Sequence, residues 1–106
     1  MKTRRAKAAR KPIKLRRWDA AEHLRSPEDC SAYLAAIQEE PGVDEKLIAA
    51  ALGNIARAQG MMQVARNAGL AREALYRALS PDGNPSLGTI LKVSRALGLK
   101  LSWHAV

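Results

Sequence analysis

The chain contains few residues of the kinds that form disulfides or bind metals. Its 106 residues include one cysteine, two histidines and no phenylalanine. A single cysteine excludes an intrachain disulfide. Cys30 shares a helical spacing with Tyr33, Leu34 and Ile37, so the sequence predicts that Cys30 is a core residue rather than a reactive thiol.

Catalytic constellations are also scarce. His23 and His104 have no Cys, Asp or Glu partners at the spacing of metal ligands. The chain has no glycine-rich phosphate loop and no nucleophile paired with a base. Aromatic residues make up 4%, which leaves no stacking platform for single-stranded nucleic acid. We therefore expect a protein that is not an enzyme and has no metal or cofactor.

Long apolar runs are absent, although 47% of the residues are hydrophobic. No stretch approaches the 18 or so apolar residues of a membrane span, and the basic N-terminus leads into no apolar signal region. A length of 106 residues suits one small domain with a single core. We expect a cytoplasmic protein that is not associated with membranes.

The net charge of +8 is divided unevenly along the chain. Residues 1–17 contain nine basic and no acidic residues, residues 18–56 contain eight acidic and two basic residues, and residues 57–106 contain seven basic and two acidic residues. Because residues 1–17 have almost no apolar periodicity, they predict a disordered basic arm ahead of a domain over 18–106. The arm either contacts DNA phosphates or a groove, or is a solubilising tail.

Capping and breaking residues predict five helices. Ser26 and Pro27 begin the first helix, which runs to about Glu40 before Pro41-Gly42. Asp44 caps the second helix, which Gly60 ends. The other three are predicted from Met61 to Ala68, from Ala71 to Leu79, and from Ser86 to Gly98.

Periodicity predicts the buried residues of these helices. The second helix has an apolar stripe, and the last helix is expected to bury an apolar face. The stripe comprises Leu47, Ile48, Ala51, Leu52, Ile55 and Ala56, and the face comprises Leu87, Ile90, Leu91, Ser94 and Leu97. Residues 99–103 alternate apolar and polar residues, which predicts a short strand with Leu99, Leu101 and Trp103 on one side. A lone strand needs a partner in the chain or in a second copy.

Residues 61–80 match a helix-turn-helix motif. Ala65 is small enough for two steeply crossing helices, and Gly69 suits a turn that requires a positive φ. Val64, Leu70 and Leu75 are expected to pack the pair against the core. A bulky side chain at Ala65 or Gly69 is expected to misplace the second helix of the motif, which is predicted from Ala71 to Leu79.

The outward positions of the second helix of this motif are Arg72, Glu73, Tyr76 and Arg77. Such positions meet base edges in the major groove, where arginine pairs with guanine and glutamate accepts from cytosine. Gln63, Asn84 and Thr89 are weaker candidates for phosphate contacts. The alternative is that the charged residues form a solvated helix face.

Several stretches resemble the addiction-module antidote proteins, the HigA-like antitoxins of bacterial toxin–antitoxin pairs. The resemblance covers about residues 18–103. It rests on 18–24 (WDAAEHL), 31–34 (SAYL), 52–58 (LGNIARA), 69–80 (GLAREALYRALS), 81–87 (PDGNPSL), 89–93 (TILKV) and 96–99 (ALGL). The loop 81–87 is the most specific of these, since an ordinary repressor motif would not predict it.

The resemblance implies a five-helix lambda-repressor-like domain that binds DNA as a dimer, represses its own operon and neutralises a small basic toxin. It adds Ala71 to the residues expected to read bases. Two departures stand out: Ala71 occupies a position where the family commonly has a serine N-cap, and the basic arm is longer than the family's.

Dimerisation would match an inverted-repeat operator. The acidic block of residues 18–56 could bind a basic toxin, or could be solvated. Two alternatives stay open for the function: a stand-alone helix-turn-helix regulator without a toxin, and an RNA-binding or purely protein-interaction role.

Overall fold

A computed structural model describes residues 24–106, and this part of the chain is all-α with five helices and no strand. The helices are α1 (Pro27–Gln38), α2 (Glu45–Gln59), α3 (Met61–Ala68), α4 (Arg72–Ala78) and α5 (Leu87–Ala96). The predicted basic arm and the predicted start of order at Trp18 lie outside the described residues. Within residues 24–106, no helix has both the length and the apolarity needed to span a bilayer.

Side-chain caps fix the starts of three helices and confirm the predicted positions. In each case the capping oxygen accepts from the backbone N–H of the third helical residue, which would otherwise lack a partner. The caps are Ser26, Asp44 and Ser86, which accept from Asp29, Leu47 and Thr89 over 3.1, 2.9 and 3.1 Å. The end of α1 differs by two residues from the prediction, because Glu39 and Glu40 already donate to Ala36 and Ile37 in tighter turns.

The core draws on every helix. Its most enclosed side chains are Leu24, Cys30, Ile55, Leu75, Leu79 and Val93. Helix α3 contacts α2, α4 and α5, whereas α1 packs on α2. The predicted stripe of α2 is confirmed at Ala51, Leu52, Ile55 and Ala56, which are buried, while Leu47 and Ile48 are partly buried. The centre of the domain is therefore α3, and α4 is held mainly through it.

Hydrogen bonds from one amide join the segment just before α1 to α2. The Gln59 Nε2 group donates to the carbonyl oxygen of Leu24 at 3.2 Å and contacts the Cys30 sulfur at 3.4 Å. Cys30 is fully buried, as predicted. Burial raises the pKa of the Cys30 thiol above its ordinary value of 9.0, outweighing the opposite effect of the Gln59 hydrogen bond. A thiol in this state is unreactive.

Helix α5 faces the core differently from the prediction. Val93 is fully buried, and Ser94 and Leu97 are buried as expected, whereas Ile90 and Leu91 are only partly buried. Leu87 is 62% exposed, so its predicted burial was wrong. The reason is positional: Leu87 immediately follows the Ser86 cap and lies in the first turn of α5, beyond the edge of the core.

The predicted strand over residues 99–103 is not confirmed, because residues 24–106 contain no strand. Among residues 24–106 no segment pairs with it, and a strand requires a hydrogen-bonded neighbour. Leu99 is partly buried, but Leu101 is 41% and Trp103 85% exposed. The side predicted to be apolar therefore begins at the core and continues into solvent.

The end of α5 meets the beginning of α1 at Gly98. This residue has a φ of 78°, and its N–H donates to Arg95 O, while the N–H of Leu99 reaches back to Ser94 O at 2.8 Å. A Cβ at Gly98 would lie 3.2 Å from Pro27 Cγ. Glycine therefore serves both the left-handed turn and the close approach of the two helix ends.

Candidate nucleic-acid interface

The connection between α3 and α4 is a tight turn built on Gly69. This residue has φ 71° and ψ 32°, the left-handed conformation that glycine adopts with little cost. The N–H groups of Gly69 and Leu70 donate to the carbonyl oxygens of Arg66 and Ala65 at 3.1 and 2.9 Å, which closes the end of α3. The predicted need for a positive φ at this position is confirmed.

The steric part of the prediction at Gly69 was wrong. A Cβ added there would meet no atom within 4 Å, so a larger side chain would find open space. Its cost is the backbone strain of the left-handed region alone. Ala65 differs, because it is only 3% exposed and sits in the packed cluster between the helices. Of these two positions, only Ala65 is packed too tightly to accommodate a bulky side chain.

The other packing residues of the turn occupy the core as predicted. Val64 and Leu75 are buried, and Leu70 is partly buried against the same cluster. Met61, the first residue of α3, is also buried. Helix α4 is thus anchored by Leu75 and Leu79, which lie one turn apart on its inner side.

The opposite side of α4 is open to solvent. Five exposed residues make up what we call the α4 face: Ala71, Arg72, Glu73, Tyr76 and Arg77. They are the residues that the sequence singled out for base contacts. The helix is seven residues long, so its outer surface consists of little besides these side chains.

Arg72 and Tyr76 on the α4 face contact each other. The Arg72 guanidinium carbon lies 5.4 Å from the centre of the Tyr76 ring, within the range of a cation–π interaction. The two residues are four positions apart and therefore adjacent on the helix surface. Because the ring restricts the guanidinium, Arg72 loses less conformational freedom when it binds a ligand than an unrestrained arginine would.

The N-terminus of α4 lacks a side-chain cap. Ala71 occupies the capping position with φ −66° and ψ 143°, and its side chain has no oxygen to accept a hydrogen bond. The departure from serine seen in the sequence therefore falls on the capping position itself. The start of α4 is held by the turn, by the burial of Leu75 and by the backbone hydrogen bond from Leu75 N–H to the Ala71 carbonyl oxygen at 3.0 Å, without a side-chain cap.

The three weaker candidates for phosphate contacts differ in their exposure and in the hydrogen bonds that their side chains already make. Asn84 is exposed in the loop before α5. Gln63 is exposed on α3, but its amide donates to Asn67 Oδ1 at 3.0 Å. Thr89 is partly buried, and its Oγ1 accepts from the Ser86 hydroxyl at 3.1 Å. Thr89 therefore takes part in capping α5 and is the least available of the three.

The loop between α4 and α5 depends on Gly83, which sequence reasoning did not single out as a functional residue. Its N–H donates to Ser80 O at 2.9 Å, and its Cα lies against the last turn of α4. A Cβ there would come within 2.5 Å of the Arg77 carbonyl oxygen and closer still to that of Ala78. Only glycine permits this approach. The Asp-Gly pair in the loop is the turn signal that could have identified it.

A polar chain that sequence reasoning missed connects α1 and α2. The Asn54 amide donates to the Tyr33 hydroxyl at 3.0 Å and accepts from Arg57 Nη2 at 2.9 Å. The preceding residue, Gly53, is buried, and a Cβ there would lie 3.1 Å from the carbonyl oxygen of Leu79. Gly53 thus allows α2 to approach the end of α4. The polar chain joins α1 to α2, and Gly53 brings α2 close to the C-terminal cap of α4.

The acidic residues near the α1–α2 connection are exposed. Glu39, Glu40, Asp44 and Glu45 all reach solvent. Asp44 also caps α2, so its carboxylate has a structural role besides its charge. No cluster of three or more potential metal ligands occurs within residues 24–106.

A family model described as "Probable addiction module antidote protein" matches residues 14–105. The chain belongs to this antidote family. An uncharacterized protein of Haemophilus influenzae is 50% identical over 86 residues, which cover 81% of this chain and 87% of that relative. No solved structure matches the chain. Membership of an antidote family implies a toxin partner.

Proposed function

We propose that this antidote is the DNA-binding antitoxin of a type II toxin–antitoxin pair, similar to the HigA-like proteins. It binds as a homodimer to an inverted repeat in its own operon, represses transcription and neutralises a small basic toxin. In this role the protein acts by binding, with no catalytic step.

The observation that carries the DNA-binding part is the α4 face. A short helix is fixed from behind by Leu75 and Leu79 and presents two arginines, one glutamate and one tyrosine to solvent. In a lambda-repressor-like helix-turn-helix, α3 crosses the DNA backbone and α4 enters the major groove. Arg72 and Arg77 would each pair with guanine O6 and N7, and Glu73 would accept from cytosine N4.

The distribution of charge also supports a DNA-binding surface on the half of the chain that contains α3, α4 and α5. Residues 57–106 contain seven basic and two acidic residues, so the half of the chain that contains α3, α4 and α5 attracts a polyanion. Residues 18–56 have the opposite balance, which suits a basic toxin. DNA and toxin would then meet different parts of the same small domain.

Footprinting on the DNA upstream of the gene tests the proposal. We expect protection of an inverted repeat with half-sites about 34 Å apart. Arg72→Ala and Arg77→Ala should each weaken binding about 5- to 150-fold, the value of one bidentate arginine–guanine pair, and relax the preference for one base pair.

Lys46→Ala is the matched control, because Lys46 is an exposed basic residue on α2. It should leave affinity and base preference unchanged. If both arginine variants bind the operator with native affinity and specificity, the assignment of α4 as the recognition helix is wrong.

A further inference from the structure

The C-terminal segment, residues 99–103, leaves the helical body with unused bonding capacity. Within residues 24–106 no backbone hydrogen bond is made by Lys100, Leu101, Ser102 or Trp103. Leu101 is 41% and Trp103 85% exposed. Unpaired backbone groups combined with alternating apolar side chains make a template for another chain.

Two open grooves flank this segment. One lies between the segment and α1, with Leu34 and Glu39 in its wall, and the other lies between the segment and α5, with Leu91 in its wall. Leu99 lines both grooves. An added chain that paired with the segment would therefore find apolar side chains on either side.

We propose that the occupant is the C-terminal segment of a second copy, paired antiparallel with its twofold axis at Leu101. This inference rests on the proposed function, since it supplies the dimer interface which an inverted repeat requires. It explains the period-two pattern of residues 99–103, which no neighbour within residues 24–106 satisfies. An isolated two-stranded ribbon is marginal, but this one would be supported by α1 and α5.

The side chains select the register. With the axis at Leu101, Leu101 meets its own copy, Leu99 faces Trp103 of the second copy, and Lys100 faces Ser102. All apolar residues then fall on one side, and the indole covers Leu99 at the base of both grooves. An axis at Lys100 would oppose two ammonium groups, and one at Ser102 would oppose Lys100 with His104.

Charge also favours a second copy as the occupant. Residues 99–106 contain Lys100 and His104 but no acidic side chain. In the groove beside α1, Glu39 is the acidic lining residue, so a basic residue of the second copy would meet an opposite charge there, whereas Arg95 and Lys100 line the groove beside α5.

Engineered cysteines test the register. Directly opposite residues of an antiparallel pair have Cα atoms about 4.5 to 5.5 Å apart, within the reach of a disulfide. We expect Leu101→Cys to form a covalent dimer under a mild oxidant. Ser102→Cys should not, because two such residues would be offset by more than about 7 Å. The native chain is the control, since its only cysteine, Cys30, is fully buried.

Solution mass tests the interface itself. Sedimentation should show that the native chain is a dimer and that the Leu101→Asp variant is a monomer, because two carboxylates would meet at the twofold axis. The circular dichroism spectrum of the variant should be unchanged. Val43→Asp is the matched control, since Val43 is 36% exposed and lines neither groove. Leu101→Asp should bind the full operator about 100-fold more weakly than the native chain but a single half-site equally well.

Each opposite result overturns the inference. It fails if the native chain is monomeric, if Leu101→Asp remains a dimer, if Leu101→Cys does not cross-link, or if Ser102→Cys cross-links as well. None of these outcomes alters the effect of Arg72→Ala and Arg77→Ala on half-site binding, so failure of the interface is distinguishable from failure of the proposed function.

Discussion

Single glycines make different physical demands in this domain. At Gly69 the backbone needs a positive φ but the space around the Cα is empty, whereas at Gly83 the neighbouring carbonyl oxygens leave no room for a Cβ. Gly88, in the first turn of α5, meets neither constraint, because its nearest neighbour would be the Ser86 hydroxyl at 3.7 Å. A side chain would therefore cause backbone strain at Gly69 and a steric clash at Gly83, whereas at Gly88 it would only reduce the conformational entropy of the unfolded chain.

Alanine at these three positions should therefore give three different results. Gly69→Ala should lower the free energy of unfolding by about 1 kcal/mol through strain. Gly83→Ala should lower it by about 1 to 3 kcal/mol and weaken operator binding, because the end of α4 must shift. Gly88→Ala should raise it by up to about 1 kcal/mol. Urea unfolding measures all three, and a Gly83→Ala variant with native stability and affinity would contradict the collision.

The missing cap at Ala71 offers a stabilising substitution. Ala71→Ser supplies an oxygen to the free N–H groups at the start of α4 and should raise the free energy of unfolding by about 1 kcal/mol. Ala71→Val is the control, because it adds bulk at the same exposed position without an acceptor. Thermal unfolding without DNA is the measurement. Equal melting temperatures for the serine and valine variants would show that the cap does not form.

At the scale of elements, one of the polar contacts between α1 and α2 joins the partly buried groups of Tyr33 and Asn54. Tyr33→Phe removes the hydroxyl that accepts from Asn54 and should cost about 1 kcal/mol of unfolding free energy. In a double-mutant cycle with Asn54→Ala, the coupling should be about 0.5 kcal/mol or more. Arg57→Ala, which removes an exposed partner of the same amide, should cost less. A coupling near zero would mean that the hydrogen bond adds no stability.

Elements were predictable wherever the signal was local. Ser26, Asp44 and Ser86 act within one turn of themselves, and Gly60 and Gly69 fix backbone angles at their own positions, so the helix limits follow from the sequence. The exposure of the α4 face follows from periodicity around Leu75.

Features that depend on distant neighbours were not predictable. The exposure of Leu87 reflects where the core ends, and the unpaired state of residues 99–103 reflects the absence of a neighbouring segment in this part of the chain. The requirement for glycine at positions 53 and 83 arises from carbonyl oxygens of α4 and its C-terminal cap, which come close only after folding. The use of the α4 face for base contacts remains a prediction.

For the whole molecule, the division of charge predicts how a toxin would be held. Changing Glu39, Glu40 and Glu45 to lysine reverses the exposed acidic surface while leaving the Asp44 cap of α2 in place. We expect the affinity for the partner toxin to fall at least about tenfold. This loss should become smaller at high salt, because salt screens the charges. Operator affinity is the control and should not fall. Unchanged toxin affinity would show that this surface is merely solvated.

The contact between Gly98 and Pro27 also sets where the rest of the chain attaches. Leu24, the first described residue, is three residues from Pro27 and thus within about 11 Å of it along the chain. Leu24 and Leu99 are therefore attached to the same small region of the helical body, so a change at the contact between Gly98 and Pro27 is expected to disturb both attachment points.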